Sequence, residues 1–392
     1  MAPTILLLSL LVHLLSPAQS IDPAVEDLIN KNADFGARLY RAVASRTDSN
    51  VVLSPFSLSA GMLALLSATN GPTRDQLLQG LTLTGLDPET IPDQFQTLKN
   101  LVLPGQLSSN LQTAMAVFPS QNLQVSESYQ QLVQTKFDGV VQSLSYNVPS
   151  EAVGTINRWV QDQMGDEFQD LLSTMDPQTQ LLIATAARLQ TQFDPPFNSS
   201  FTQDERFYVD RYHVVMVPMM FRADKYFLAY DGLVKAGVLK LPMADGAAML
   251  VVLPDDGVDL TTVEEEVTFE KIQTWIQQLK KTKLEVQLPR FLLERSYTLK
   301  DVLQTLDIVT VFQDDADISN MGEIRGAKLS QVHHKSVVTV NENLADVSIS
   351  GSRLFSTPPP RLTFNRPFVF IIYQEATRGL LFMGRVTNPT EK

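Results

Sequence analysis

Apolar residues recur at helical spacing through much of the first half of the chain and at strand spacing through the second. Within residues 32–44, Phe35, Leu39 and Val43 fall on one stripe at i, i+4 and i+8, and Leu58, Met62 and Leu65 repeat the pattern within 57–67. Residues 74–81, with Leu77, Leu78 and Leu81 on one face, and 125–133 read as further amphipathic pieces. After about residue 205 the period changes. Leu284, Val286 and Leu288 alternate with Glu285 and Gln287, the mark of a strand with one buried face, whereas 248–253 and 368–373 are continuous apolar runs suited to strands covered on both faces. Pro242, Pro254, Pro289 and Pro367 punctuate these runs. Helices first and strands later, with no regular βαβ alternation, predict an α+β domain built on large antiparallel or mixed sheets.

The first 20 residues stand apart. They are mostly apolar from Ile5 to Leu15 and end in small residues, with Ala18 and Ser20 spaced for a signal peptidase, so residues 1–20 read as an export signal. About eleven apolar residues are too few to cross a bilayer core that takes roughly twenty, which argues against a membrane anchor. A chain exported without cysteine holds together on its core alone, and one of this length buries enough surface to do so. No linker, low-complexity tract or internal repeat divides it, so residues 21–392 are read as one domain.

The net charge of −12 excludes nucleic acid as a natural partner, because binding phosphate requires a basic face. The best basic cluster, Lys280, Lys281 and Lys283, follows the helical set Ile272, Trp275, Ile276 and Leu279; it reads as a solvated helix end or as a polyanion site. Catalytic signatures are missing: no Gly-x-Ser-x-Gly elbow, no His-Glu-x-x-His, no phosphate-cradling loop and no cysteine nucleophile. Beyond the export segment only His213, His333 and His334 remain. Neighbours on a strand point to opposite faces, so the last two do not make a metal site; one is expected buried and hydrogen-bonded, the other exposed. Asp255-Asp256 and Asp314-Asp315 lie beside turns and read as solvated. No enzyme activity, metal or cofactor is expected.

Five segments, in order, resemble the serpin family. They are NVVLSPFS from Asn50 to Ser57, INRWV from Ile156 to Val160, VPMM from Val217 to Met220, FNRPFVF from Phe364 to Phe370 and LFMGRVTNP from Leu381 to Pro389. His334-Lys335 followed by Glu342 completes the pattern, which covers nearly the whole mature chain. The resemblance, closest to the secreted plasma type, implies a monomeric fold with an exposed reactive loop between Glu342 and about Pro360. It also implies a mechanism: a serine protease cleaves the loop, which then inserts as a new strand into a large sheet and carries the acylated protease with it. Ser54, Ser57, Thr185 and His334 match the region that controls sheet opening, with His334 buried beside the two serines.

Inhibitory members carry a glycine two positions after the glutamate matching Glu342, then a run of small residues. Here the hinge reads Asn343-Leu344-Ala345-Asp346-Val347-Ser348-Ile349-Ser350-Gly351. Leu344 stands for the glycine and Ile349 for a small residue, so the hinge bends less freely and crowds the sheet. Thr185 precedes Ala186 where the family has asparagine, and the tryptophan expected soon after is missing from 189–193. These departures point to weak or lost inhibition, in a binding, carrier or signalling role. Against that, Ala345, Val347 and Ile349 face one side and Asp346, Ser348 and Ser350 the other, a serviceable strand that allows slow insertion or a hinge already partly inserted. If the loop is bait, the bond is Arg353-Leu354, which suits a trypsin-like clotting or complement protease, or in a second register Ser356-Thr357. The partner is then an extracellular serine protease; otherwise it is another plasma protein or a receptor. Asn198-Ser199-Ser200 is the only sequon and predicts a glycan on a surface loop.

Overall fold

The computed structural model describes residues 21–103, 110–165, 168, 170–322, 326–342 and 358–392. In chain order it runs through α1 (Pro23–Ala44), β1 (Val51–Leu53), α2 (Pro55–Ala68), α3 (Gly71–Gly80), α4 (Ile91–Val102), β2 (Leu111–Pro119), α5 (Glu127–Phe137), β3 (Val140–Val141), α6 (Pro149–Met164) and β4 (Leu181–Gln190). There follow β5 (Gln203–Tyr208), β6 (Val214–Asp231), β7 (Ala236–Pro242), β8 (Ala247–Pro254), α7 (Leu260–Glu266), α8 (Phe269–Gln278), β9 (Lys280–Pro289), β10 (Phe291–Thr298) and α9 (Lys300–Gln304). The chain ends with β11 (Gln331–Val340), β12 (Arg361–Thr363), β13 (Phe368–Gln374) and β14 (Leu380–Val386).

The architecture is α+β in a single domain, with two sheets among the described residues. One has five strands in the order β10-β11-β4-β2-β3; the other has nine, β1-β14-β13-β8-β7-β6-β9-β12, with β5 added on β6. The continuous apolar runs form β8 and β13, every residue of which is buried, while the alternating stretch forms β9 with Leu284, Val286 and Leu288 inward. Pro242, Pro254 and Pro289 end their strands, where the missing amide costs no ladder bond. The division into helices first and strands later is incomplete. β2 and β4 lie among the helices, since apolar runs this short do not reveal their period.

α2 is the centre of the molecule. Almost all of its residues are buried, so it is apolar on every side rather than striped. It lies on β4 at Gly61, where an added Cβ would come within 2.8 Å of Thr185 Cγ2 and 2.9 Å of Ile183 Cγ2. The opposite face of the five-stranded sheet is covered by α6, whose Trp159 meets Phe118 edge-on at 5.6 Å. One expectation changes: His333 is buried as well as His334, at 7% and 0% exposure. The two imidazoles do point to opposite faces, but both faces are roofed. A second correction concerns the lysines after Leu279. Lys280, Lys281 and Lys283 begin β9 rather than end α8, because the two-residue alternation of Leu284 to Leu288 extends back to them.

Behind the nine-stranded sheet, Glu264 of α7 accepts from Tyr40 Oη at 2.6 Å and pairs with Arg385 Nη1 of β14 at 2.8 Å, all three groups being buried. This ties the first helix to the last strand. Burial, then the neighbouring carboxylate, push the Tyr40 hydroxyl well above the usual phenol range.

Candidate functional site

The five-stranded sheet has an unusual seam. β10–β11 and β4–β2 are antiparallel, but β11 and β4 lie parallel, in register from Gln331 opposite Leu182 to Thr339 opposite Gln190. The pairing continues to the end of the seam, where Thr191 N donates to Thr339 O at 2.9 Å and Gln190 Nε2 to Asn341 Oδ1 at 3.0 Å. β4 and β11 bond directly to each other over this length.

His334 locks the seam. Its Nε2 accepts from the backbone N–H of Ser54 at 3.0 Å, which places the ring proton on Nδ1. Nδ1–H then donates to Thr185 Oγ1 on β4 at 2.8 Å, and the Ser336 hydroxyl approaches Nε2 at 2.7 Å. Ser54 caps α2, accepting from Ser57 N at 3.2 Å and donating its hydroxyl to Leu381 O at 2.8 Å. Ser57 Oγ reaches Ala186 O of β4 at 2.9 Å. One helix start and both strands of the seam thus meet at a single imidazole. Burial lowers His334 to about 3 and His333 to about 4, so both rings are neutral at physiological pH.

Thr185, which stands where the family has asparagine, thus bridges β4 to β11 through its hydroxyl.

Glu342 lies two residues beyond β11 and is 5% exposed. Its carboxylate takes a two-pronged contact from Arg290, Nε to Oε2 at 2.9 Å and Nη2 to Oε1 at 2.6 Å, and accepts from the Thr202 hydroxyl. Burial pushes the Glu342 carboxyl up, yet Arg290 and Thr202 outweigh it and hold the group below the usual carboxylate range. Arg290 sits in the turn between β9 and β10, and Thr202 just before β5. The point where the chain leaves β11 is therefore anchored to the nine-stranded sheet. Leu344, Ala345, Val347, Ile349, Arg353, Leu354, Ser356 and Thr357 lie outside the described residues.

Asn198 caps the turn Ser199–Phe201, its Oδ1 accepting from Ser200 N at 2.9 Å, with Ser199 and Ser200 exposed. Sequence reasoning missed Arg290, Thr202 and Ser336. Ser336 had a usable signal, since two positions from His334 on a strand means the same face. Arg290 and Thr202 had none, because their partner lies 52 and 140 residues away.

Comparison with known proteins agrees with this architecture. The serpin (serine protease inhibitor) family model matches residues 30–389. The Protein Z-dependent protease inhibitor of Mus musculus is 32% identical over 374 residues, spanning 94% of this chain and 83% of the relative. The crystal structure of the mouse protein superposes with a TM-score of 0.86 at 33% identity, covering 93% of this chain and 98% of that one. Human thyroxine-binding globulin, solved with thyroxine, superposes with a TM-score of 0.86 at 26% identity, covering 93% and 99%. With the family pattern running through α2, the seam and the last two strands, the chain belongs to the serpin family.

Proposed function

We propose that this protein is a secreted serpin, not an enzyme, that receives protease attack in the segment between Glu342 and about Pro360 and inserts that segment slowly, so that its inhibitory action is weak or lost. The parallel β4–β11 seam carries this reading. A segment leaving the end of β11 and turning back would run antiparallel to both neighbours. It would replace one parallel ladder with two antiparallel ones, and parallel pairing is the less stable per residue. The sheet is thus built to gain from a sixth strand. The hinge is poorly built to supply it: Leu344 stiffens the bend, and Ile349 must pass a seam already filled by Thr185, His334 and Ser336.

A second reading, an effective suicide-substrate inhibitor of a trypsin-like protease cut at Arg353-Leu354, is favoured by the Thr185–His334 bond and by likeness to a relative named as a protease inhibitor. In a pure binding or carrier role the nearer likeness is thyroxine-binding globulin. One experiment separates them. The purified protein is incubated with trypsin-like proteases, complexes that survive boiling in detergent are scored, and the cut bond is read by mass spectrometry. The first reading expects mostly cleaved serpin and free, active protease. A stoichiometric covalent complex with the cut after Arg353 would replace it with the second.

A further inference from the structure

Asn198 and Phe201 open and close a single turn. Phe201 N donates to Asn198 O at 3.0 Å, and the Asn198 side chain folds back to accept from Ser200 N at 2.9 Å. A 3₁₀ turn brings positions three apart onto one side, so residues 198 and 201 are neighbours on the surface. Phe201 keeps 45% of its surface open. Its ring meets that of Phe221 on β6 at 75°, with the centroids 6.5 Å apart, and the Arg361 guanidinium lies 5.6 Å from the Phe221 ring. The contact with Phe221 holds the phenyl in place. The residue that follows, Thr202, is the one whose hydroxyl donates to Glu342.

We propose that the first sugar of a glycan on Asn198 packs its apolar face against Phe201, next to the contact that anchors Glu342. The proposal rests on the glycosylation expected at Asn198-Ser199-Ser200. Asn198 Oδ1 is taken up by Ser200 N, which leaves Nδ2 to carry the sugar. A pyranose ring presents C–H groups on its face and hydroxyls at its rim, so it covers a phenyl ring without burying a polar group unpaired. Between free molecules such a contact is weak. Here the sugar is tethered three positions from the ring, and so short a tether gives it a high effective concentration. One half-open phenyl is far smaller than a stable protein interface needs, which favours the chain's own glycan over a second protein as its cover. The sugar would add bulk beside Thr202 and Glu342, where the chain leaves the β4–β11 seam.

The test uses the full mature protein secreted from a eukaryotic host. Ser200→Ala removes the sequon but spares the backbone N–H that donates to Asn198, so the turn is kept. Glycosylated wild type is expected to melt about 1–2 °C above Ser200→Ala. The gain should persist after an endoglycosidase trims the glycan to its first sugar, and vanish when both proteins also carry Phe201→Ser. In proton NMR spectra of the trimmed protein, the sugar ring protons should be shifted upfield by the phenyl ring current, and Phe201→Ser should return them to their ordinary positions. Equal midpoints with and without the sugar, a gain that survives Phe201→Ser, or unshifted sugar protons would overturn the contact while leaving the glycan standing. A wild-type mass showing bare Asn198 would overturn both.

Discussion

The carboxylate of Glu342 and the guanidinium of Arg290 meet in a two-pronged pair, with 6% of one side chain and 43% of the other exposed. The acid is the buried partner, so removing the base is the more damaging change. Arg290→Ala is expected to destabilise the protein by roughly 1–3 kcal/mol, below the 3–5 of a fully buried pair because water reaches the arginine. Glu342→Gln should be milder, since the amide oxygen still accepts from Thr202. Urea unfolding of the two variants checks the order; equal losses would show that the ion pair does not set it.

The neutral imidazoles of the seam make stability depend on pH. Both folded pKa values, about 3 and 4, lie below the unfolded value near 6.5, so on acidification the unfolded chain takes up protons that the folded one refuses. Stability is whole above about pH 6.5 and falls towards pH 4, each histidine adding a slope of up to about 1.4 kcal/mol per unit. Thr185→Val removes the acceptor of the Nδ1 proton and is expected to cost about 1–3 kcal/mol, with Thr185→Ser close to wild type. Thermal scans from pH 7.5 to 5 test both statements. A flat profile would mean that the histidines are not buried neutral.

Much of this architecture was legible beforehand, for stated reasons. β8, β9 and β13 announced themselves because burial on one or both faces leaves a period or an unbroken run. β6 did not, because its 18 residues pass from an exposed hairpin at Val214 and Met216 to buried Tyr226 and Asp231, so no single pattern holds. His334 and Ser54 could be paired by resemblance, but the Thr185 bond needed the β4–β11 register, which joins residues 149 apart. His333 was misjudged because no local pattern in β11 shows that both faces of its sheet are covered.

Cleavage of the segment after Glu342 is expected to raise the melting temperature only slightly. A full insertion would lift it far beyond the few degrees that one kcal/mol produces in a domain of this size. Leu344→Gly combined with Ile349→Ala should recover part of that rise. Calorimetry of intact and cut protein decides, and a large rise in the unmodified chain would remove the hinge as an obstacle.

Asn198 should carry a glycan in material secreted from a eukaryotic host. Its Oδ1 is engaged with Ser200 N, which leaves the amide nitrogen, the atom that is glycosylated, turned to a site flanked by exposed serines. Glycosidase treatment should lower the mass of wild type and leave Asn198→Gln unchanged.

The place of β13 and β14 in the nine-stranded sheet bears on how the chain is made. The last two strands to leave the ribosome sit inside the sheet, between β1 and β8, with Val51 paired to Arg385. Until residues 368–386 have emerged, β1, one of the earliest strands, and a wholly apolar β8 have open edges, which β14 and β13 respectively close. At ribosomal rates of about 5–20 residues per second, the nascent chain carries those edges for many seconds. A nonsense codon between β12 and β13 would leave both exposed permanently, making such a truncation a route to aggregation rather than to a smaller folded protein.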